Sequence, residues 1–449
     1  MSFMKKELKK IIQLSLPLIF AQIGVVLLGV SDMVMLGHYS DTALKASGLA
    51  NVWIIGTLMF GIGCSLGVDP IISKLVGQGE SERTKVSLIT GKALAVAIAV
   101  LTGLLWANTG AILGLFDQNA EYAELAHSYA LIQIPSLIPF FMYMVFRQYL
   151  IARESTMPVA LVLLLTNFIN IFLNWIFIFG VGPFEEMGLF GAGLSSCLMR
   201  AAQYILLCLI ILKSKKYRYH WVPYKAKYID SEMLKKIVLI GLPIGAHLML
   251  EAFGLQVTAF MAGKIGDDDL GAHSILLNLQ YLFFILPMAF SLCAATRVGN
   301  EIGARSSNIF NVFKATSLLC LILFLCSSLG MFYFGESLVR AYGTSEAIIL
   351  KARESLFYSS LFLFFYGLQL VGSGFLRGAG LTVITSLSNI LSLYVIAIPL
   401  AYFLGVSREW GLQGLWAALA IGMVVATCAN AILNLRYLFR VKSELSLSH

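Results

Sequence analysis

The tetrapeptide Leu14-Ser15-Leu16-Pro17 recurs as Ile240-Gly241-Leu242-Pro243, and this repeat is the feature from which the fold can be inferred. The match continues over most of the chain at an offset of 222 to 226 positions. Aligned pairs include Met35 with Met261, Gly37 with Gly263, Ala46 with Ala272, Val76 with Val298, Asn167 with Asn389 and Gly188 with Gly411. So constant a register predicts two equivalent halves. In a membrane protein, duplicated halves usually enclose a central substrate path.

Composition indicates a membrane protein. Hydrophobic residues make up 59% and charged residues 12%, and the mean hydropathy is +0.83; a soluble domain carries about 25% charged residues. Apolar stretches long enough to cross a hydrocarbon core of about 30 Å recur twelve times, six in each half. They are 12–37, 47–72, 88–115, 128–151, 158–182, 188–212, 237–263, 271–295, 310–334, 355–376, 381–405 and 411–435. Because backbone polar groups must be paired in lipid, we predict an all-α polytopic protein with twelve transmembrane helices.

The distribution of positive charge predicts the orientation. Of 32 Lys and Arg residues, 25 lie in or near the N-terminus, the even-numbered loops and the C-terminus. The positive-inside rule therefore predicts that both termini are cytoplasmic. The halves then enter the membrane in the same direction, as parallel lobes at 1–215 and 237–449 joined by a basic cytoplasmic linker at 216–236. The net charge of +8 thus reflects topology, and we predict contact with the lipid bilayer, no nucleic-acid partner and no obligatory protein partner.

No catalytic motif is visible in the sequence. The chain lacks a P-loop, an H-E-x-x-H helix, a nucleophile elbow and a dinucleotide glycine fingerprint. All seven cysteines fall within predicted spans, without the spacing of a metal site. We therefore predict that the chain is not an enzyme and holds no cofactor.

An acid inside the first predicted span is the main candidate for function. Ionisable groups deep in a membrane are rare and mark ion or substrate paths. Asp32 has apolar neighbours on both sides, and Asn167, Asn170 and Asn174 recur on one face of the fifth span. A carboxylate with amide oxygens could coordinate a small hard cation such as Na⁺, with a hydroxyl from Ser196. The alternative is that the three amides only hydrogen-bond neighbouring helices.

The second half carries a differently placed acid. Glu251 lies in the middle of the seventh span, whereas the residue aligned with Asp32 is Thr258. His247 precedes Glu251 by four residues and shares its helical face, so the two could share or exchange a proton. A purely structural hydrogen bond between them is the alternative. The different charges predict that the two halves have different tasks.

Several motifs resemble one transporter family over essentially the whole chain. They are Ser31-Asp32-Met33-Val34-Met35-Leu36-Gly37, Val76-Gly77-Gln78-Gly79, Gly188-Leu189-Phe190-Gly191-Ala192-Gly193, Val298-Gly299-Asn300-Glu301-Ile302-Gly303-Ala304 and Phe375-Leu376-Arg377-Gly378. Together they are similar to the signatures of the multidrug and toxic compound extrusion (MATE) transporters. The resemblance implies two six-helix lobes in a V shape around a central cavity, and cation-driven export of organic, often cationic, compounds.

The resemblance also implies roles for single residues. Asp32 matches the family's acid in the first helix, Asn170 and Asn174 match the polar pair of helix five, and Ser196 matches a hydroxyl of helix six. Glu251 matches the helix-seven acid of the NorM-type branch.

This chain departs from the NorM-type branch in helix ten. Tyr366, followed by Gln369, stands where that branch has an acid. The first-lobe site at Asp32 is therefore the better candidate for cation coupling. We assign Glu251, His247, Tyr366 and Gln369 to substrate or proton handling.

The sequence therefore predicts a Na⁺- or H⁺-coupled antiporter of a bacterial-type inner membrane that exports small organic, mainly cationic, compounds. A lipid-linked oligosaccharide flippase of the same superfamily is the alternative. A flippase for anionic lipids needs a cavity lined by Arg and Lys. Arg200 is the only cation that we predict to lie well inside a first-lobe span, whereas two acids, Asp32 and Glu251, are in spans, which favours the exporter.

Overall fold

The computed structural model describes residues 2–114, 120–218 and 228–447, and within these ranges it contains helices and connecting turns but no strand. The α-helices, numbered in chain order, are α1 (Ser2–Tyr39), α2 (Asp41–Leu66), α3 (Val68–Gln78), α4 (Ser81–Ala107), α5 (Thr109–Gly114), α6 (Ala120–Gln133), α7 (Leu137–Ala152), α8 (Met157–Phe179), α9 (Gly188–Lys213), α10 (Lys215–Arg218), α11 (Ser231–Ile265), α12 (Asp267–Gly303), α13 (Ile309–Arg340), α14 (Glu346–Gly378), α15 (Thr382–Leu391), α16 (Ile398–Ala401) and α17 (Gly411–Leu447).

Twelve membrane spans are present in the described residues, which confirms the predicted number. Three spans combine shorter elements: α2 with α3, α6 with α7, and α15 with α16 through two π-helical segments at Ser392–Ala397 and Tyr402–Ser407. Most helices extend beyond the predicted apolar stretches, because a helix can continue into water once its apolar part has crossed the membrane. Part of the predicted linker, 219–227, lies outside the described residues.

The chain forms two compact units. The N-terminal unit comprises Leu16–Met249, and the C-terminal unit comprises Met1–Ser15 with Leu250–His449. The first turns of α1 thus belong to the C-terminal unit, and those of α11 to the N-terminal unit. The lobes proposed from the sequence, 1–215 and 237–449, remain a prediction.

In the N-terminal unit, α2 and the first half of α11 approach each other through glycines. A Cβ atom on Gly63 would lie 2.5 Å from the Cα of Gly245, and one on Gly241 would lie 2.2 Å from the carbonyl oxygen of Cys64. Gly63 with Gly67, and Gly241 with Gly245, each form a G-x-x-x-G pair. Such pairs allow close van der Waals contact, which drives helix association in lipid.

In the C-terminal unit, the first turns of α1 are held by a buried ionic cluster. Arg297 on α12 donates from Nη2 to Glu7 Oε2 at 2.9 Å and to Glu301 Oε1 at 2.5 Å. Asn308 Nδ2 donates to Glu7 Oε1 at 2.9 Å. Removing one partner from a buried ion pair leaves an uncompensated charge, so this cluster fixes the position of the start of α1.

Candidate cation site

Asp32, near the C-terminal end of α1, lies against two asparagines of α8. Asn174 Nδ2 donates to Asp32 Oδ1 at 2.5 Å and faces Asn170 Oδ1 at 3.4 Å. Asn170 and Asn174 are one helical turn apart and fully buried, whereas Asp32 is partly buried. The structure therefore places the three predicted side chains in one cluster, which we call the Asp32 cluster.

Several polar atoms of this cluster, and of Asn167 one turn earlier on α8, lack a partner. Asn170 Nδ2 and Asn174 Oδ1 are buried without a hydrogen bond to any described residue, and so are both side-chain polar atoms of Asn167. An unsatisfied buried polar group costs about 1–3 kcal/mol. The cluster can thus accept a further polar species.

The donor set fits a small cation. Oxygens of Asp32 and Asn170 both face the side-chain nitrogen of Asn174. A half-turn of the Asn174 amide would exchange its nitrogen with its unpartnered oxygen and bring three oxygens together, the ligand type that hard cations take. A proton on Asp32 would satisfy the same site differently, because a protonated carboxyl can donate to an amide oxygen.

Residues of α6 and α9 interact with one another and with Asp32. The Tyr129 hydroxyl interacts with the side chains of Gln133 and Ser196, and Tyr129 interacts electrostatically with Asp32 and Arg200. Ser196 is buried, and its part in cation binding stays a prediction. Tyr129 and Gln133 were not singled out from the sequence.

Arg200 is a buried cation that belongs to this region. Its Nη1 donates to Ser136 Oγ at 3.1 Å, and its guanidinium lies 5.4 Å from the centre of the Phe140 ring. Arg200 also interacts electrostatically with Asp32. A cation within a membrane span requires polar partners. Arg200 is therefore the sequence feature from which polar partners such as Tyr129 and Gln133 could have been sought.

Arg200 is not the only buried cation of the first half. Lys92 and Arg147 are also buried in the N-terminal unit, each with 5% of its surface exposed. The Lys92 ammonium lies 5.1 Å from the centre of the Phe146 ring, and Arg147 interacts electrostatically with Asp69. Each lies close to the predicted cytoplasmic end of its apolar stretch, 88–115 for Lys92 and 128–151 for Arg147, so the prediction that Arg200 is the only cation well inside a first-lobe span stays a prediction.

Glu251 of α11 is partly buried, and its carboxylate accepts a hydrogen bond from the Tyr366 hydroxyl of α14. The Tyr366 ring is stacked between Phe284 and Phe362, with ring centroids 5.6 and 5.3 Å away. These contacts fix the hydroxyl beside Glu251. The tyrosine that replaces the expected acid therefore supplies a donor where a second carboxylate would supply an oxygen ligand.

The other two second-half candidates are placed differently. His247 lies one turn before Glu251 on α11, with 9% of its surface exposed, and belongs to the N-terminal unit. Gln369 lies in a separate polar cluster, where its Nε2 donates to Ser373 Oγ at 3.3 Å. Asn389 and Asn430 donate to the same Ser373 hydroxyl at 3.0 Å.

The position equivalent to Asp32 has no acid and a different environment. Thr258 Oγ1 lies 3.3 Å from His273 Nε2, and the His273 ring is 5.4 Å from that of Trp416. The two halves thus share a backbone repeat but not the site. Among the described residues, no group of three His, Cys, Asp or Glu side chains is placed to hold a metal ion.

Comparisons with known proteins agree with the internal repeat. The MatE family model matches residues 17–176 and 243–403, and the two matches begin 226 positions apart, as the two halves do. Multidrug resistance protein NorM of Vibrio vulnificus (strain YJ016) is 24% identical over 455 residues, which cover 99% of this chain and 98% of that protein.

A second relative and a solved structure show the same extent of similarity. Probable multidrug resistance protein NorM of Photorhabdus laumondii is 28% identical over 95% of this chain and 94% of that protein. The crystal structure of the eukaryotic MATE transporter AtDTX14 superimposes with a TM-score of 0.88 at 20% identity, covering 98% of this chain and 99% of that chain. The fold is therefore shared over nearly the full length.

Proposed function

Because the chain belongs to the MATE family of multidrug efflux transporters, we propose that it is an antiporter in which inward movement of Na⁺ or H⁺ drives export of small organic cations. The observation that carries the coupling proposal is the Asp32 cluster, where a carboxylate faces buried amides with unpartnered polar atoms. A site of this composition can exist with or without a bound cation. We propose that Asp32 is loaded from the outside and unloaded to the cytoplasm, with both termini cytoplasmic in a bacterial-type inner membrane.

The energy available from such coupling has a known scale. One elementary charge that crosses 100 mV releases about 2.3 kcal/mol, and each tenfold concentration ratio adds about 1.4 kcal/mol. The cation can drive the conformational change only if it binds one state more tightly than the other. The affinity of Asp32 for the cation must therefore differ between the inward- and outward-open states.

Glu251 and its aromatic neighbours support a cationic substrate. The carboxylate of Glu251 is negatively charged when ionised, and the Tyr366 ring beside it is stacked against Phe284 and Phe362. Aromatic faces attract organic cations through the cation–π interaction. We propose that Glu251 and Tyr366 contact the exported compound or handle its proton.

The test is substrate efflux from proteoliposomes under separately imposed Na⁺ and pH gradients. Asp32→Asn removes the ionisable group but keeps the shape, and we expect it to abolish gradient-driven efflux while the protein stays folded. Asp230→Asn is the matched control, because Asp230 is an exposed acid of the same unit that caps α11 through Met233 N at 3.0 Å. Wild-type rates in Asp32→Asn under both gradients would remove Asp32 from the mechanism.

Replacing Asn170 and Asn174 distinguishes a role in cation binding from a role in helix packing. If Asn170 and Asn174 bind the cation, their replacement by Ala weakens the dependence on Na⁺ more than it lowers stability. If they only connect helices, the replacement lowers stability by about 0.6 kcal/mol per lost hydrogen bond, with the ion dependence unchanged.

The same liposomes test the flippase alternative. Movement of an anionic lipid-linked oligosaccharide, without efflux of organic cations, would favour the flippase. Lys92, Arg147 and Arg200 would then be the cations to replace first, because all three are buried in the N-terminal unit.

A further inference from the structure

A pocket of about 270 Å³ lies at the end of the N-terminal unit that is predicted to face outside. The end of α1, the start of α2, the middle of α6 and the start of α9 form its walls. Its lining includes Tyr39, Thr42, Ser128, Tyr129, Gly188 and Phe190. The pocket has room for several water molecules, since each occupies about 30 Å³ in the liquid.

Tyr129 connects this pocket to the Asp32 cluster. It lines the pocket, yet only 4% of its surface is exposed. Its hydroxyl interacts with Ser196 and Gln133, and the residue interacts electrostatically with Asp32. A single side chain therefore lines the pocket and interacts with both Ser196 and Asp32.

Negative charge lies next to the pocket, beside its lining residue Tyr39. The Tyr39 hydroxyl donates a hydrogen bond to the carboxylate of Glu186, and Glu185 is an exposed neighbour. Gly188, at φ +50°, makes room for this arrangement, because a Cβ there would lie 2.5 Å from Cε1 of the Tyr39 ring. Acidic groups at the mouth of a cleft raise the local concentration of cations.

We propose that this pocket is the entry route by which the coupling cation, hydrated Na⁺ or hydronium, reaches Asp32 from the outside, with Tyr129 as the positioning residue at its inner end. The inference rests on the proposed antiport and adds to it an access path that runs entirely within the N-terminal unit. The cation thus enters separately from the exported compound, and blocking the pocket stops coupling without removing the binding site for the compound.

The experiment uses a cysteine at the pocket wall. Ser128→Cys is purified, modified with a bulky methanethiosulfonate, reconstituted, and tested for efflux after an external pulse of Na⁺ or of acid. Asn108→Cys is the matched control, because Asn108 is exposed at the same end of the same unit but does not line the pocket. Wild-type protein treated with the reagent accounts for the seven native free cysteines.

We expect modified Ser128→Cys to respond at least about tenfold more slowly than modified Asn108→Cys to the pulse that drives the wild type, with equilibrium binding of an organic cation in detergent unchanged; tenfold in rate corresponds to about 1.4 kcal/mol. Inhibition of the Na⁺ response or of the acid response alone identifies the cation. Equal rates in the two modified proteins would overturn the route, as would parallel loss of binding. If the wild type responds to neither pulse, both the antiport and the entry route are wrong. If the wild type responds and modified Ser128→Cys is not inhibited, only the entry route is wrong.

Discussion

Gly63→Ala is expected to weaken the contact between α2 and α11. The added Cβ would lie 2.5 Å from the Cα of Gly245 and 2.6 Å from its nitrogen. Non-bonded carbon atoms prefer about 3.5–4.0 Å, so the helices must separate by about 1 Å. Both obstructing atoms belong to the backbone and cannot rotate away. Overpacking of this kind costs about 1–3 kcal/mol.

Gly48→Ala on the same helix is the matched control, because a Cβ there would meet no described atom within 4 Å. Both variants gain the same helix propensity of Ala over Gly, up to about 1 kcal/mol, so this gain cancels in the comparison. We therefore expect Gly63→Ala to be about 1–3 kcal/mol less stable than Gly48→Ala. The assay is unfolding of the purified protein by titration with a denaturing detergent. Equal unfolding free energies for the two variants would refute the close backbone contact.

Four further substitutions test the C-terminal unit and α11. Glu7→Gln should lower stability by about 1.5–3 kcal/mol, the value of a hydrogen bond to a charged group, because Arg297 loses one of its two carboxylates; denaturation measures this, and no change would contradict the buried pair. Tyr366→Phe should cost only about 0.6 kcal/mol but change selectivity among cationic drugs, measured by efflux. Glu251→Gln should reduce efflux of cationic drugs more than of neutral ones, and equal losses for both drug classes would argue against its role. His247→Ala should shift the pH optimum of efflux, and an unaltered pH profile would argue against a role in proton handling.

The architecture could be predicted from the sequence because few backbone structures can cross a lipid bilayer. Apolar stretches of sufficient length predicted all twelve spans, and the repeat from Pro17 to Pro243 predicted two halves. The division of α1 and α11 between the two units was not accessible. Sequence register reports which residues are equivalent, but the contacts of Glu7 with Arg297 depend on packing between segments 290 positions apart.

The candidate site was accessible only in part. Asp32 and the asparagines of α8 stood out because polar groups in apolar spans are rare. Tyr129 did not, because an aromatic residue in a membrane helix is ordinary, and only its placement beside Ser196 distinguishes it. The Gly63-x-x-x-Gly67 pair was likewise visible in the sequence, but such a pair does not identify the helix that packs against it.

The ionic cluster at the start of α1 has a consequence for biosynthesis. Glu7 and Arg297 are separated by 290 positions, and ribosomes add about 5–20 residues per second. About 15–60 s therefore pass between the synthesis of Glu7 and that of Arg297. The N-terminal unit, which ends at Met249, is translated within this interval. Throughout that interval the first turns of α1 have no final packing site, and their acid must stay hydrated or be screened by other molecules. The last-made unit is completed by a segment near the beginning of the chain, so the C-terminal unit combines the first and the last parts of the chain to be synthesised.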